Sequence, residues 1–429
     1  MFKIKLILSV LVLVLAIASA RNPNSTTTCS ISNHKSKCEY GVCPSIVACI
    51  NEYSPMYSNI VITVPDGNFP CKQIDTYFLK YDLNIDLRPE GQKSVPSFTC
   101  QGKTSFLKLK TAFVFSMTIS NVVIQATLVT GNRGSLININ SSTYIYPNTN
   151  QLTMNNVVLK NGQSIPANGA NEAGSITLNS VSLVLSNCSI TNSQSTGSYP
   201  SSSVMNLISG SLTINNSTIS NSISSNSNYG INFSGDNIFI YNSIFNGGNG
   251  IGHFINAVAK SVYVKSSKFT NNYSKYGSCF NLVSSSIMFD SNVFDRNFGQ
   301  YGSALFVSSN YNYQDYYFIN NNLTNNIASD AGTLFLSTQG NHYLTGSIFE
   351  NNVAWGAADI FFYQQRITLL GGTFINSSSS NEYSPSQYPQ FPMYVVDMVY
   401  YEPYIGIQCI YNYQTLVQNG AYTYINEIE

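Results

Sequence analysis

A motif of about eleven residues recurs ten times in this chain and restricts the possible fold more than any other sequence feature. Each copy has two apolar residues two positions apart, then a turn-forming residue and another apolar residue, as in SMTISNVVIQA and NIFIYNSIFNG. The last apolar residue sets the register, at Ile124, Leu159, Ile190, Ile219, Phe245, Phe269, Phe294, Leu323, Phe349 and Phe374. These marks are about 28 residues apart, enough for three short strands and three turns. The apolar period of two predicts stacked strands and not a helical solenoid.

The position three residues before each mark predicts a sharp bend in every coil. It is occupied by Asn121, Asn156, Asn187, Asn216, Asn242, Ser266, Ser291, Asn320, Gly346 and Gly371. Asn and Gly tolerate the left-handed backbone conformation best, and coils stacked roughly 4.8 Å apart would also let Asn side chains form a ladder. The alternative is that an Asn-rich chain fills this column by chance, but Gly at the same position favours the bend.

A second strand is predicted after each mark, opened by a small residue that permits a tight corner. These openings lie at Gly134, Gly174, Gly230, Gly252, Gly277, Gly302, Gly332 and Gly356. The sequence therefore predicts an all-β fold, a single-stranded right-handed parallel β-helix of about ten or more coils with a disulfide-rich N-terminal cap. We expect a signal peptide over residues 1–20, the Cys-rich cap and first coils over 21–110, the repeats over 111–376, and a Tyr- and Pro-rich C-terminal segment or cap over 377–429. Within the N-terminal cap, residues 45–53 predict a short helix and 60–69 a strand and turn.

The first twenty residues have the pattern of a secretory signal. MFKIK supplies positive charge, LILSVLVLVLAIA a short apolar run, and Ala18-Ser19-Ala20 a cleavage site. An uncleaved anchor helix is the alternative, although the apolar run is shorter than the ~20 residues that cross a bilayer. We therefore expect a secreted or cell-surface protein with no transmembrane segment after cleavage.

Cysteines and glycosylation sequons fit an extracellular protein. Six of the nine cysteines lie in the first hundred residues and predict two or three disulfides of undetermined pairing, at Cys29, Cys38, Cys43, Cys49, Cys71 and Cys100. A metal site is the weaker alternative, because these cysteines lack a paired C-x₂-C spacing. Sequons for N-glycosylation occur at Asn24, Asn140, Asn187, Asn215, Asn216, Asn232, Asn272, Asn322 and Asn376. A chain this rich in Asn and Ser also generates sequons by chance.

The charge composition excludes one class of partner. Charged residues make up only 9% of the chain, and its 20 basic residues equal its 20 acidic ones. Without a long-range positive field, nucleic acid is not an expected partner. No cofactor or metal is predicted either.

The later repeats resemble those of polymorphic outer-membrane proteins, within the wider pectin-lyase-like β-helix superfamily. The similarity rests on F-x-x-N followed by G-[GSA]-[AL], as in FTNN (269–272) with GSCF (277–280) and FDRN (294–297) with GSAL (302–305). It covers roughly residues 111–376, and earlier coils keep only the Asn. The resemblance implies a cell-surface or extracellular adhesive and structural role, without an evident counterpart to the membrane barrel of the bacterial members.

The superfamily also contains polysaccharide lyases and hydrolases. A lyase needs clustered Asp residues for calcium and an Arg or Lys base, whereas an inverting hydrolase needs two or three carboxylates on one face. Asp295 and Glu350 are the weak catalytic candidates, since they share a column two coils apart, with Thr324 between them. Two coils span about 10 Å, near the upper end of the range of about 6.5–9.5 Å in inverting enzymes. His253, in Gly252-His253-Phe254, superficially resembles the Gly-His-Gly motif of polygalacturonases. The paired-Asp and Arg-Ile-Lys motifs that should accompany it are missing, so His253 is interpreted as a surface residue that opens a strand.

Aromatic residues give a binding hypothesis. They concentrate in neighbouring coils, at Tyr301, Tyr311, Tyr313, Tyr316, Tyr317, Tyr343 and Trp355. Exposed aromatics can contact sugars or a protein partner, but several could equally belong to the core. Two functions remain: a non-catalytic extracellular protein with an adhesive, structural or glycan- or protein-binding role, or a pectin-lyase-like polysaccharide lyase or glycoside hydrolase.

Overall fold

The structure is a computed structural model. It describes residues 22–91, 94–127, 134–142, 149–164, 172–196, 202–224, 229–247, 249–250, 254–274, 277–354, 359–362, 366–370, 372–379, 393–396, 399–401 and 407–409. The predicted signal peptide lies outside this range.

The chain forms a right-handed parallel β-solenoid of about ten turns, with almost no helix. Every pairing between its named strands is parallel, and each strand pairs with its equivalents in adjacent coils. One coil passes through three faces, which we call the long face, the second face and the short face. The predicted fold class is confirmed.

The long face is a 22-stranded sheet whose later strands run through both of its halves without interruption. Its strands are Asn22–Ile31, Val42–Cys43, Tyr57–Val64, Tyr77–Leu79, Leu83–Pro89, Leu107–Thr111, Phe115–Ser120, Ile137–Ser141, Gln151–Asn155, Ile176–Asn179, Ser182–Ser186, Ser202–Ile208, Leu212–Asn215, Tyr229–Tyr241, Ile255–Lys265, Phe280–Asp290, Leu305–Ile319, Leu334–Thr345, Ile360–Phe362, Arg366–Leu370, Met393–Val396 and Ile407–Cys409.

The second face is a 13-stranded sheet, and the short face consists of two four-stranded sheets. The second-face strands are Asn68–Pro70, Ser97–Cys100, Val123–Ala126, Val158–Lys160, Ser189–Thr191, Thr218–Ser220, Ile244–Asn246, Lys268–Thr270, Val293–Asp295, Asn322–Thr324, Ile348–Glu350, Thr373–Ile375 and Val399–Tyr401. The short-face strands are Gln163–Ser164, Gln194–Ser195, Ile223–Ser224 and Asn249–Gly250 in one sheet, and Phe298–Tyr301, Ile327–Ala331, Val353–Ala354 and Ser378–Ser379 in the other.

All ten register marks occupy one column of the second face, so the predicted repeat is confirmed. Phe69, Phe98 and Tyr400 continue this column at its two ends. The sequence motif missed them because their flanking residues differ from those of the ten copies.

Stacked phenylalanines fill the core behind the second face. The ring of Phe269 lies 4.7 Å from that of Phe245 and 5.0 Å from that of Phe294, measured between centroids, and both pairs of planes are within 11° of parallel. All three side chains are fully buried. Such stacking adds to the hydrophobic gain of burial, and it is possible only because the marks are in register.

The predicted bends are present at every described position of the turn column. The backbone angle φ is positive there, for example 54° at Asn121 and 49° at Asn242, while Gly371 lies outside the described residues. A second column of left-handed residues lies two positions after each mark from Leu159 onward, at Asn161, Asn192, Asn221, Gly247, Asn271, Arg296, Asn325, Asn351 and Asn376. Most described coils therefore turn into and out of the second face through a single left-handed residue.

The predicted side-chain ladder forms at one described pair of the turn column, where Asn156 Nδ2 donates to Asn121 Oδ1 at 3.0 Å. A longer ladder lies inside the solenoid, three residues after the marks. It consists of the buried residues Asn272, Asn297, Asn326 and Asn352. Each amide nitrogen donates to the side-chain oxygen of the next coil, over 3.0, 3.0 and 3.1 Å.

The same side-chain oxygens also satisfy the backbone at the corner. Asn326 Oδ1 accepts from the backbone nitrogen of Asn297 at 3.1 Å, and Asn326 Nδ2 donates to the carbonyl oxygen of Phe294 at 2.9 Å. Buried polar groups must be paired, so each Asn serves two coils at once. The ladder ends at buried Asp359, whose Oδ1 accepts from Asn352 Nδ2 and Ser377 Oγ at 2.8 Å each.

The N-terminal cap has the predicted helix, over Ile46–Tyr53, with Ser45 Oγ accepting from the backbone nitrogen of Ala48. Its six cysteines form three disulfides, Cys29–Cys49, Cys38–Cys43 and Cys71–Cys100. This pairing could not be read from the sequence. Outside the cap, Cys188 and Cys279 are buried free thiols. Burial raises the pKa of Cys279 to about 12, so it is a thiol and not a thiolate at neutral pH.

The sequons occupy very different environments. Asn140, Asn187, Asn216 and Asn376 are exposed, and Asn215, Asn232 and Asn322 are half-buried. Asn272 is only 1% exposed and its amide belongs to the buried ladder, so a glycan cannot be attached there in the folded protein without breaking that ladder. The side chain of Asn24 lies outside the described residues.

Replacing Asn326 with Ala should destabilise the fold by about 3 kcal/mol, because it leaves buried groups of Asn297, Asn352 and the backbone unpaired. Thermal unfolding followed by circular dichroism measures the effect. The matched control is Asn325→Gly, which changes the exposed left-handed neighbour and keeps its conformation. Equal melting temperatures for the two variants would contradict a stabilising role of the buried ladder.

The bend at Asn242 gives a second prediction. Asn242→Val should lower stability by about 1–2 kcal/mol, since a β-branched residue is strained in the left-handed region. Asn242→Gly should melt close to the parent protein, because glycine adopts this conformation without strain. A Val variant as stable as the Gly variant would mean that the backbone conformation at this corner is not a constraint.

Candidate functional site

An aromatic stripe runs along the outside of the long face in five consecutive coils. It consists of Phe239, Tyr263, Met288, Tyr317 and Tyr343, and each of these residues pairs in register with the next. Side chains alternate along a strand, so this column points outward while its sequence neighbours point into the core. Tyr317 is exposed and the other four residues are half-buried. A line of apolar side chains that stay partly accessible is typical of an interaction surface.

The rings of the aromatic stripe pack on their neighbours. Those of Tyr317 and Tyr343 have centroids 5.1 Å apart and planes 13° from parallel, while Tyr263 meets Tyr241 edge to face at 5.6 Å. Rings as close as Tyr317 and Tyr343 cannot lie side by side, so they overlap and partly cover each other. Tyr317 nevertheless remains 38% exposed. The stripe is therefore a rigid ridge of aromatic edges and hydroxyls.

Polar side chains flank the ridge on one side. Ser261 Oγ donates to Asn237 Oδ1 at 2.7 Å, and Asn341 Nδ2 donates to Asp315 Oδ1 at 2.8 Å. These pairs fix the positions of amide, hydroxyl and carboxylate groups beside the rings. A ligand with many hydroxyls would find both donors and acceptors here.

An ion pair flanks the ridge on the other side, where Lys265 Nζ lies 2.8 Å from Asp290 Oδ2. The hydrogen bond and charge of Asp290 raise the pKa of Lys265, and Lys265 holds the pKa of Asp290 below its usual range. Partial burial raises the pKa of Tyr317, and the Asp315 carboxylate adds to this effect. At neutral pH the pair is thus fully charged and the Tyr317 hydroxyl keeps its proton.

A buried pair lies directly beneath the ridge. Tyr316 and His342 are fully buried, and their rings stack with centroids 5.1 Å apart. His342 Nε2 is 3.1 Å from Thr338 Oγ1, while its Nδ1 has no hydrogen-bond partner among the described residues. Burial lowers the pKa of His342 to about 3, so it is neutral in the folded protein. The sequence did not single out this histidine, although the aligned motif places it in the inward apolar column two residues before Leu344.

The aromatic residues named from the sequence fall into four groups. Tyr317 and Tyr343 are in the stripe, and Tyr316 belongs to the core. Tyr301 is half-buried and meets the Phe335 ring edge to face at 5.8 Å. The side chains of Tyr311 and Tyr313, and Trp355 as a whole, lie outside the described residues, as does His253. Sequence reasoning missed Phe239 and Tyr263, although the aligned motif copies already place them in one column with Tyr317 and Tyr343.

Asp295 and Glu350 share a column with Thr324 between them, on the second face and away from the aromatic stripe. Asp295 Oδ1 accepts from Thr324 Oγ1 at 3.2 Å and from Asn325 Nδ2 at 2.9 Å. Its Oδ2 lies 3.8 Å from Arg296 Nε. These bonds tie the Asp295 carboxylate to neighbouring surface side chains.

Two other features lie in the cap. In the described part of the chain, one group of three cysteines, Cys29, Cys43 and Cys49, is close enough to share a metal ion, but all three are in disulfides. A cavity of about 410 Å³ lies between the cap helix and the first coils, with Phe69 and Phe98 among its lining residues. Both features are remote in sequence from the stripe.

Comparisons with known proteins support no statement about this chain's fold or function. No family model matches the chain, and no curated protein matches it. Among solved structures, a GH136 lacto-N-biosidase from Eubacterium ramulus is similar, with 8% identity over 87% of this chain and 67% of that chain and a TM-score of 0.35. This likeness is too weak to support an argument about activity. The resemblance of the repeats to those of polymorphic outer-membrane proteins stays a prediction.

The buried histidine predicts a pH dependence of stability. Unfolded chain takes up a proton on His342 near pH 6.5, whereas the folded protein resists protonation until about pH 3. The unfolded state thus binds more protons between these values. The contribution of neutral His342 to the free energy of unfolding is therefore fully present above pH 6.5. It declines as the pH falls towards 3, by up to about 1.4 kcal/mol per pH unit.

Chemical denaturation at several pH values, compared with His342→Phe, isolates this effect from that of the carboxylates. The variant keeps an aromatic ring in the stack and should lose less stability on acidification than the parent protein. Parallel pH profiles for the two proteins would show that His342 is not kept neutral by burial.

Proposed function

We propose that this protein is an extracellular carbohydrate-binding β-solenoid that acts in adhesion, without catalysis, through the aromatic stripe. The observation that carries the proposal is the alignment of Phe239, Tyr263, Met288, Tyr317 and Tyr343 over five coils. Aromatic groups beside fixed amides and hydroxyls suit sugars, which have both apolar ring faces and many hydroxyls.

The rigidity of the ridge supports this function. Its side chains stand on sheet strands and the Tyr317 and Tyr343 rings stack, while hydrogen bonds such as that from Asn341 to Asp315 fix the polar groups beside them. Little conformational entropy is therefore lost when a ligand binds. Weak contacts repeated along several coils also suit adhesion, in which many sugar units are engaged together.

An extracellular location is supported by three disulfides and by the signal sequence predicted over residues 1–20. The described residues also include no helix that is long and apolar enough to cross a membrane. The hydrolase or lyase alternative would have to use Asp295 and Glu350. Asp295 is bonded to Thr324 and Asn325, and the two carboxylates are two coils apart.

Binding to a panel of soluble polysaccharides, measured by affinity electrophoresis, tests the proposal. We expect retardation by at least one polysaccharide and a loss of affinity of at least tenfold in the double variant Tyr317→Ala/Tyr343→Ala. Tyr40→Ala is the matched control, because Tyr40 is fully exposed in the cap and should leave binding unchanged.

The same polysaccharides should be recovered without new reducing ends or unsaturated products. Undiminished binding by the double variant would exclude the aromatic stripe as the site. Turnover abolished by Asp295→Asn would replace this proposal with the enzymatic alternative.

A further inference from the structure

We infer that the aromatic stripe binds an uncharged, extended polysaccharide that runs parallel to the solenoid axis, with about one sugar unit per coil. This inference rests on the proposed function and specifies its ligand. It follows from two independent observations, the pairing of the charges on this face and the repeat of the rungs.

The first observation is that both lysines beside the stripe are already paired with carboxylates. Lys265 is paired with Asp290 at 2.8 Å, and Lys260 is paired with Asp236 at 2.6 Å. Asp315 accepts from Asn341 Nδ2. Both lysines of these strands are thus already engaged, and a carboxylated or sulfated glycan would have to compete with a protein carboxylate for each of them.

An anionic ligand would also meet the carboxylate of Asp315, which accepts hydrogen bonds from the neutral side chains of Asn341 and Tyr317. The described groups nearest to the rings are otherwise amides and hydroxyls, such as Asn237, Ser261 and the Tyr317 hydroxyl. These groups can hydrogen-bond sugar hydroxyls without a charge on the ligand. The chemistry of the face therefore favours a neutral glycan.

The second observation is the repeat of the stripe. Strands of one sheet lie roughly 4.8 Å apart, and the Tyr317 and Tyr343 rings are separated by 5.1 Å along the same direction. A pyranose unit in an extended β-linked chain has a similar length. A chain parallel to the axis would thus present an equivalent sugar face to each rung, whereas a chain crossing the stripe would meet only one or two rungs.

The length of the stripe along the solenoid axis sets the length of the ligand. Five rungs carry Phe239, Tyr263, Met288, Tyr317 and Tyr343, and the equivalent position before them is Thr213. After Tyr343 the column continues with Thr368. The apolar segment therefore has two polar ends and matches about five sugar units.

An oligosaccharide series tests the orientation. Isothermal titration of the full chain with neutral β-1,4-linked gluco-oligosaccharides of increasing length should show affinity that rises at least tenfold between dimer and pentamer, and then levels off. Affinity that is already maximal for a dimer, while Tyr317→Ala still weakens it, would overturn the parallel orientation but leave the proposed function intact. No binding of these or other glycans, with or without the tyrosines, would refute the proposed function itself.

A charge exchange tests the ligand class. The parent protein should bind oligogalacturonates at least tenfold more weakly than neutral oligomers of the same length. Asp290→Asn releases Lys265 and should raise oligogalacturonate affinity several-fold. The control is Glu39→Gln, which makes the same change in net charge and releases Lys35 from an equivalent 2.8 Å pair in the cap.

Parent protein that binds oligogalacturonates as tightly as neutral oligomers would overturn the inference of a neutral ligand. So would an equal gain in Asp290→Asn and Glu39→Gln, because the effect would then come from net charge and not from the stripe. In either case glycan binding at the aromatic stripe would still stand.

Discussion

Hydrogen bonding at the corner between the second and short faces is the constraint on which the rest of the solenoid depends. A coil leaves the second face within two residues of a mark, through a left-handed residue. At this turn the neighbouring backbone groups do not all find hydrogen-bond partners in the backbone. In the later coils the buried Asn ladder supplies them, since each side chain accepts from the previous coil and donates to a strand carbonyl. With the corners fixed, the marks stay in register, and the phenylalanine stack and all outward columns follow from that register.

The core column and the bends could be predicted because each imposes a local requirement on residue type. Phe269 and Phe294 must be apolar, and Asn121 and Asn242 must tolerate positive φ, so both positions can be recognised from one sequence. The buried ladder was not recognised in the sequence, although its residues are visible in F-x-x-N. An Asn that is exposed at a bend and one that is buried beside it, such as Asn325 and Asn326, look identical without the side-chain directions.

The candidate site was predictable only in part for a different reason. Tyr317 and Tyr343 attract notice in a Tyr-rich stretch, whereas Phe239 and Tyr263 share their column of the aligned motif but lie outside that stretch. The column is visible in the sequence, but its partial exposure and the groups that flank it are not. Tyr316 shows the converse difficulty, because adjacent tyrosines on a strand point to opposite sides and one of the two must be buried. Outward columns are free of the packing requirements that shape the core. They can therefore be modified for binding without disturbing the coil beneath them.

The two ends of the buried Asn ladder are not equivalent. Every member donates one amide hydrogen towards the C-terminal side and the other to a strand carbonyl of the preceding coil, and the series stops where Asp359, which can only accept when ionised, takes the last forward bond. Because each internal junction uses the same donor and acceptor, a whole coil could be duplicated or deleted between Asn272 and Asn352 without creating a new kind of contact. Gene-level gain or loss of repeats would thus lengthen or shorten the ridge in steps of one rung while leaving Asp359 in place at the end of the ladder.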